Sequence, residues 1–247
     1  MSQGRCHVWV TRPQPGADQT AARLEALGYE PFVAPLTEIV GVRADVSPLA
    51  DCAALVFTSA NGARFFPSDA AKALLSKPVF AVGQATADAV HALGFLTIVI
   101  GDSDASSLAP LIAERTEDGD AIGYITGFQR TATLEQSLAA LNRKAVLVEV
   151  YDTKKVSQLT YDKSSFFETA APRAILVYAQ LSAQVLVSMV NAGSIAQNIE
   201  NAHYIAISPR VADVLAPLGT NQIHIAAMPT EAGMLAALQA CADGKAL

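Results

Sequence analysis

Short polar loops recur in this sequence at points where a predicted strand is followed by a predicted helix. They carry hydroxyl, amide and guanidinium groups, and they are Thr11-Arg12, Thr58-Ser59, Gly83-Gln84-Ala85-Thr86, Gly127-Phe128-Gln129-Arg130 and Ser208-Pro209-Arg210. In open parallel sheets, ligands bind beyond the carboxyl ends of the strands, where helix N-termini present unpaired N–H groups. We therefore expect these loops to bind anions such as carboxylates. Arg12, Arg130 and Arg210 can add charge-assisted hydrogen bonds.

The same residues also have a purely structural interpretation. Thr11, Ser59, Thr86 and Ser208 belong to the residue types that cap helices. The glycines at positions 62, 83 and 127 can simply permit tight turns, and Asn61 can cap its helix as readily as contact a ligand. The loop residues alone leave both interpretations open.

The composition of the 247 residues excludes several classes of protein. The net charge is −6, and no Lys/Arg cluster is present that could displace counterions from nucleic acid. No apolar run reaches the roughly 18 residues of a membrane span, and the N-terminal segment lacks the apolar core of a signal peptide. We expect a cytoplasmic protein with no nucleic-acid partner and no membrane attachment. A monomer is one option for its oligomeric state.

No cofactor or metal is indicated by the sequence. The four histidines share no ligand spacing, and the cysteines at positions 6, 52 and 241 are far apart, so reduced buried thiols are expected. The glycine fingerprints of dinucleotide and nucleoside-triphosphate sites are missing. Gly101-Asp102-Ser103 imitates a hydrolase nucleophile motif, but a helix start explains this segment better.

An internal repeat gives the organisation of the chain. Residues 81–100 return as residues 206–225 at a constant offset of 125 positions, and the segment from Ala54 resembles the segment from Ile175 at an offset of 121. Alternating apolar patterns predict ten short strands separated by amphipathic helices. These strands cover 7–11, 30–34, 54–58, 79–82, 96–100, 121–126, 145–150, 174–178, 204–207 and 222–226.

The repeat predicts two interleaved domains rather than a division at the middle. The first strand–helix unit resembles the one that closes the first repeat, so residues 1–36 are assigned to the domain formed by residues 154–247. Residues 40–150 then form an inserted domain. The fold class is α/β, with two flavodoxin-like open parallel sheets and a cleft between the domains. Both crossing segments, 35–42 and 149–155, look extended and can pair as a two-stranded linker.

Five motifs in order resemble the uroporphyrinogen-III synthase family over essentially the whole chain. They are T-R-P at 11–13, F-T-S-A-N-G at 57–62, V-G-Q-A-T-A at 82–87, G-F-Q-R at 127–130 and V-Y-D-T at 150–153. Members of that family are two-domain α/β lyases with a two-stranded linker. They cyclise the linear tetrapyrrole hydroxymethylbilane to uroporphyrinogen III, with loss of water and inversion of the last pyrrole ring. They use no metal or organic cofactor.

The resemblance implies roles for individual residues. Tyr151 and Thr86 are the implied catalytic residues, because a neutral donor must assist departure of the terminal hydroxyl group. The substrate is a polycarboxylate, which many helix starts could bind in spite of the negative net charge. The implied substrate-binding residues are Thr11, Arg12, Ser59, Asn61, Gly62, Gly83, Gln84, Gly127, Arg130, Ser182 and Ser208.

Two loops depart from the family pattern. Ala179-Gln180 occupies the position equivalent to Thr58-Ser59, and Arg210-Val211 replaces two hydroxyl residues of a G-P-T-T-A loop. Two other hypotheses therefore stay open, namely a non-catalytic two-domain small-molecule-binding protein and a family member without activity.

Overall fold

The structure is a computed structural model, which describes residues 6–102, 105–193, 195 and 199–242. The chain divides into two compact units. Unit 1 consists of Met1–Ile39 and Lys154–Leu247, and unit 2 consists of Val40–Thr153. Ser103, the candidate hydrolase nucleophile, lies outside the described residues.

Strands and helices alternate along most of the chain. The strands are β1 (His7–Val10), β2 (Glu30–Val33), β3 (Thr37–Gly41), β4 (Ala54–Phe57), β5 (Val79–Val82), β6 (Ile98–Gly101), β7 (Ala121–Gly127), β8 (Lys144–Lys155), β9 (Ala174–Val177), β10 (His203–Ala206) and β11 (Ile223–Ile225). The α-helices are α1 (Gly16–Ala26), α2 (Ala60–Arg64), α3 (Ser68–Leu74), α4 (Gly83–His91), α5 (Leu108–Ala113), α6 (Thr133–Ala140), α7 (Tyr161–Ser164), α8 (Phe166–Thr169), α9 (Gln180–Asn191), α10 (Pro209–Leu215) and α11 (Glu231–Ala242).

Unit 1 is a five-stranded parallel sheet with helices on both faces. Its strand order is β11-β10-β9-β1-β2. Alternate residues of each strand belong to different cores, as expected for a sheet buried on both sides. Trp9 and Ile175 pack with α9 and α10 on one face, whereas Val10 and Leu176 pack with α1 and α11 on the other.

Unit 2 repeats this arrangement. Its sheet has the order β3-β8-β7-β4-β5-β6. The neighbouring pairs β8–β7, β7–β4, β4–β5 and β5–β6 are parallel. Phe57 and Ile125 pack with α2, α3 and α4 on one face. Val56 and Tyr124 pack with α5 and α6 on the other.

Numbered along the chain, the strands of unit 1 have the flavodoxin-like order 2-1-3-4-5, and the five parallel strands of unit 2 have a circular permutation of this order. In unit 1 the strands that take these positions are β2, β1, β9, β10 and β11, and in unit 2 they are β8, β7, β4, β5 and β6. The strands β2 and β1 are the first two strands of unit 1 along the chain. Their counterparts β8 and β7 are the last two strands of unit 2 along the chain. The α/β class with two parallel sheets, predicted from the sequence, is confirmed.

All ten predicted strands occur, and the main differences concern the two crossing segments. The first crossing contains a regular strand, β3, and β8 continues through Lys155, well beyond its predicted end at Val150. β3 and β8 are neighbours in the sheet, which confirms the two-stranded linker. The longest described helices have twelve residues, and none of the described helices has the length and apolar character needed to cross a membrane.

Candidate functional site

The strand order predicts the point of each sheet at which a ligand would bind. In the flavodoxin-like order the chain connections reverse direction between the strands at positions 1 and 3, and ligands bind beyond the carboxyl ends of these strands. The two strands are β7 and β4 in unit 2, and β1 and β9 in unit 1. We call these places the switch points of the two units.

Four hydroxyl-bearing side chains gather at the switch point of unit 2. We call Thr58, Ser59, Tyr124 and Tyr151 the hydroxyl cluster. The Oγ1 of Thr58 and the phenol oxygen of Tyr124 are 3.1 Å apart. Ser59 is the N-cap of α2 and accepts a hydrogen bond from the backbone N–H of Asn61 at 3.2 Å. The Ser59 side chain is also close enough to the Tyr151 phenol to lower its pKa.

A β-bulge sets the position of Tyr151. Thr126 pairs with Glu149, but the next residue of β7, Gly127, pairs with Tyr151, so Val150 is an extra residue in β8. Bulges of this kind redirect side chains and are frequent beside active sites. The Tyr151 ring lies directly over Gly127, because a Cβ at position 127 would be 2.5 Å from a ring carbon. Gly127 is thus required for the close approach of the ring.

The environment of Tyr151 keeps its phenol protonated. Burial raises the pKa of the Tyr151 phenol above its usual value of about 10, the neighbouring Ser59 side chain offsets part of this rise, and Tyr124 adds to it. A protonated phenol can donate its O–H to another group.

The start of α4 contains three more of the predicted residues. Gly83 has a φ of +70°, which favours glycine, and the helix begins immediately after β5. Thr86 is 5% exposed and lies in the first turn, although the N-cap position belongs to Val82. Gln84 is exposed and donates to Asp88 at 2.7 Å. The alternative that Thr86 is a helix cap is therefore wrong.

Gly62 and Asn61 have structural contacts in α2. A Cβ at position 62 would approach the backbone oxygen of Ile125 to 3.3 Å, so the glycine lets α2 pack closely against β7. The side chain of Asn61 accepts a hydrogen bond from Arg64 at 2.9 Å.

Arg130 is paired with two carboxylates of its own unit. Its Nε donates to Glu135 at 2.9 Å and its NH1 donates to Glu149 at 2.7 Å. The guanidinium side chain is 20% exposed. Since two negative charges face one positive charge, this group has a net charge of −1, which disfavours the approach of a further carboxylate.

A different charge balance surrounds Arg12 at the switch point of unit 1. The NH1 of Arg12 donates to Glu231 at 2.8 Å, and its guanidinium carbon lies 4.5 Å from the centre of the Tyr178 ring. Arg23 is 3.6 Å from the same carboxylate, and Thr20 donates to it at 2.7 Å. Two arginines therefore share one carboxylate, and this group has a net charge of +1.

Three other predicted residues of unit 1 differ in their surroundings. The Thr11 hydroxyl is fully buried and donates to the backbone oxygen of Leu176 at 2.6 Å, so it joins β1 to β9 instead of capping a helix. Ser182 is also fully buried, and its oxygen lies 3.5 Å from that of Thr37. Ser208 is the N-cap residue of α10 and is half-buried, but among the described residues its side chain makes no capping hydrogen bond.

The two loops that depart from the family pattern offer backbone groups rather than hydroxyls. Ala179 is the N-cap residue of α9, the longest helix of its face. Gln180 is exposed and donates to the backbone oxygen of Arg210 at 3.4 Å, and Arg210 itself is exposed. Val211 is buried in the core.

Sequence reasoning missed three site residues, namely Tyr124, Tyr178 and Glu231. Glu231 lies 219 positions after Arg12, so no local pattern could connect them. Tyr124 lies within β7 and resembles an ordinary core residue. The repeat could have pointed to Tyr178, because it follows β9 next to the equivalent of Thr58.

The family and the fold are both identified by comparison with known proteins. The family model described as Uroporphyrinogen-III synthase HemD matches residues 18–236. A search of curated proteins finds no significant sequence match. Among solved structures, the uroporphyrinogen-III synthetase of Helicobacter pylori has a TM-score of 0.65 at 19% identity, over 96% of this chain and 99% of that chain.

A second solved structure has the same fold. It is a mutant uroporphyrinogen III synthase from the extremely thermophilic bacterium Thermus thermophilus, with a TM-score of 0.54 at 16% identity, over 97% of this chain and 99% of that chain. These identities are low enough that the two structures support the fold alone. The family model, in contrast, extends over residues 18–236, which is most of the sequence and includes the switch point of unit 2. The chain therefore belongs to the uroporphyrinogen-III synthase family, whose members are cyclising lyases of porphyrin and heme biosynthesis.

Proposed function

We propose that this chain cyclises hydroxymethylbilane to uroporphyrinogen III and that Tyr151 is the proton donor. The observation that supports this assignment most directly is the hydroxyl cluster. It combines a protonated phenol, a neighbouring serine hydroxyl and a bulge that directs the ring, all at the switch point of unit 2. A phenol in this state can give its proton to a leaving hydroxyl group.

In the proposed reaction Tyr151 gives one proton to the substrate and later receives one, so the phenol is regenerated. The phenol protonates the terminal hydroxyl of the substrate, the C–O bond breaks, and water leaves with formation of an electrophilic azafulvene. The terminal pyrrole attacks at its substituted carbon, and the resulting spiro intermediate fragments and closes again with that ring inverted. Loss of a ring proton restores the aromatic pyrrole and returns a proton to the phenolate. Since the unassisted bilane closes without inversion, the protein mainly has to control geometry.

We further propose that the two units contribute differently to substrate binding. The group around Arg12 has a net positive charge and can attract a carboxylate of the substrate, whereas Arg130 is neutralised by Glu135 and Glu149. Unit 2 instead offers the N–H groups at the start of α4, which favour anions. Thr86 in that turn is a supporting residue, because a backbone N–H or water can replace its hydroxyl. The predicted cleft between the domains is part of this proposal.

The product isomer tests the proposed function. Purified protein is supplied with freshly prepared hydroxymethylbilane, and the uroporphyrinogen isomers are separated after oxidation to the porphyrins. We expect type III as the main product, with type I alone in a reaction without protein. Type I in both reactions would instead support a non-catalytic binding protein or a family member without activity.

A further inference from the structure

A second group of reactive side chains lies in unit 1, away from its switch point. His203 is the first residue of β10, and His224 is in the neighbouring edge strand β11. Cys241 is in the last turn of α11. Arg12 follows the carboxyl end of β1, whereas His203 stands at the amino end of its strand. The group of His203, His224 and Cys241 therefore lies toward the amino ends of the parallel strands, opposite the end at which Arg12 lies.

The three side chains converge within the distances of a metal site. The Nδ1 of His203 and the Nε2 of His224 are 2.9 Å apart, and one ligand atom from each of the three residues lies within 4.8 Å of the others. His203 is 6% exposed and Cys241 is 4% exposed. Around a tetrahedral zinc ion, neighbouring nitrogen and sulfur ligands are about 3.3 to 3.6 Å apart. The two nitrogens would have to separate by about 0.4 Å, and the sulfur would have to move closer.

The ligand types favour zinc over the other common cations. Imidazole nitrogen and thiolate sulfur suit Zn²⁺, whereas Mg²⁺ and Ca²⁺ prefer oxygen ligands. Three protein ligands leave a fourth tetrahedral position for water. The Arg173 guanidinium is close enough to influence His203, and its positive charge opposes a cation. Ionisation of the Cys241 thiol on metal binding supplies a negative charge that offsets this repulsion.

We propose that His203, His224 and Cys241 together bind a zinc ion. The ion would connect the strands β10 and β11 to the C-terminal helix α11. Such a connection stabilises the folded chain, because the assembled ligand set does not exist in the unfolded state. This proposal is independent of the catalytic role proposed for unit 2.

Cobalt titration of the whole chain tests this proposal. Protein treated with a chelator is titrated with Co²⁺, which reports thiolate coordination by a charge-transfer band, and Zn²⁺ is then added to displace it. We expect a band that saturates at one equivalent, and we expect Zn²⁺ to raise the melting temperature. Cys241→Ser should abolish the band. His224→Gln should weaken Co²⁺ binding at least tenfold.

Matched variants separate coordination from a loss of folding. Cys52→Ser changes another buried thiol and His91→Gln changes an exposed imidazole in unit 2, and both should keep the band. If Cys241→Ser does not fold, His224→Gln still provides the test, because position 224 is only half-buried. Absence of the band in the unaltered protein, or its persistence in a folded Cys241→Ser or His224→Gln variant at full strength, would overturn the proposal. The group would then be two hydrogen-bonded histidines beside a buried thiol.

Discussion

At the scale of single residues, charge balance separates two arginines that follow equivalent strands. Arg12 and Arg130 come shortly after β1 and β7, and both are partly buried. Arg12 shares one carboxylate with Arg23, whereas Arg130 faces two carboxylates alone. Their motifs look alike in the sequence, so only the contacts could distinguish a candidate ligand-binding arginine from a structural one.

Substitution of the two arginines should therefore have different effects. We expect Arg12→Gln to weaken binding of the tetrapyrrole product about tenfold, since it removes one charge-assisted hydrogen bond. Arg130→Gln should leave binding nearly unchanged but lower the free energy of unfolding by about 1 to 3 kcal/mol, because Glu135 and Glu149 lose their partner. Titration with product and thermal melts measure both quantities. A large loss of binding in Arg130→Gln at unchanged stability would contradict this assignment.

The raised pKa of Tyr151 gives the pH dependence of the reaction a definite sign. A phenol donor is active while protonated, and burial moves its ionisation above its usual value of about 10. The rate of type III formation should therefore show no loss attributable to Tyr151 up to about pH 10 and should fall only at higher pH. Single-turnover rates across this range provide the test. A rate that rises between about pH 8 and 10 would mean that the ionised form is the active one.

At the scale of secondary-structure elements, the bulge in β8 links fold to chemistry. The extra residue Val150 and the missing side chain at Gly127 together let the Tyr151 ring lie against β7. The motifs G-F-Q-R and V-Y-D-T contain these residues, but a bulge depends on the pairing of two strands. Periodicity within either motif could not predict it.

Gly127→Ala should act through Tyr151. The new Cβ would meet the ring at about 2.5 Å in the present geometry, so the ring has to move away. We expect the single-turnover rate of type III formation to fall at least tenfold in the folded variant. In a Tyr151→Phe background the same change should cost much less, because the donor is already absent. Equal losses in both backgrounds would show that Gly127 acts independently of the phenol.

Local patterns predicted strand positions well and long-range contacts poorly. Buried strands such as β4 and β9 consist of four apolar residues each, so composition alone indicates them. The end of β8 has the polar sequence Tyr-Asp-Thr-Lys-Lys, and it is a strand because β3 pairs beside it. Likewise, Thr11 looks like a helix cap until its bond to Leu176, 165 positions away, is known. Tertiary partners override local preference at such positions.

At the scale of the whole molecule, the two units differ in how the chain completes them. All five strands of the flavodoxin-like order in unit 2 come from one continuous segment, whereas β1 and β2 of unit 1 come from the other end of the chain. The inner strand β1 pairs with both β2 and β9, so its loss would leave the unit 1 sheet with three strands.

Isolated fragments should reflect this difference. We expect residues 40–153 to give a cooperative thermal melt. Residues 154–247 alone should not, because without β1 and β2 they bury too little apolar surface. Circular dichroism of both fragments, with the complete chain as the control, measures the transitions. A cooperative melt of residues 154–247 would refute the interleaved domain assignment.

The central claim is tested most directly by the product isomers that Tyr151→Phe forms and by the rate at which it forms them. This variant keeps the aromatic ring and removes only the hydroxyl group, so folded protein with a nearly unchanged melting temperature is expected. Single-turnover formation of type III from hydroxymethylbilane should fall about 10²-fold or more, while product affinity is largely retained. Tyr161→Phe, at an exposed position, should match the unaltered protein, and Thr86→Ala should lose less than Tyr151→Phe. Unaltered type III rates in Tyr151→Phe would contradict the account and leave Tyr151 a packing residue.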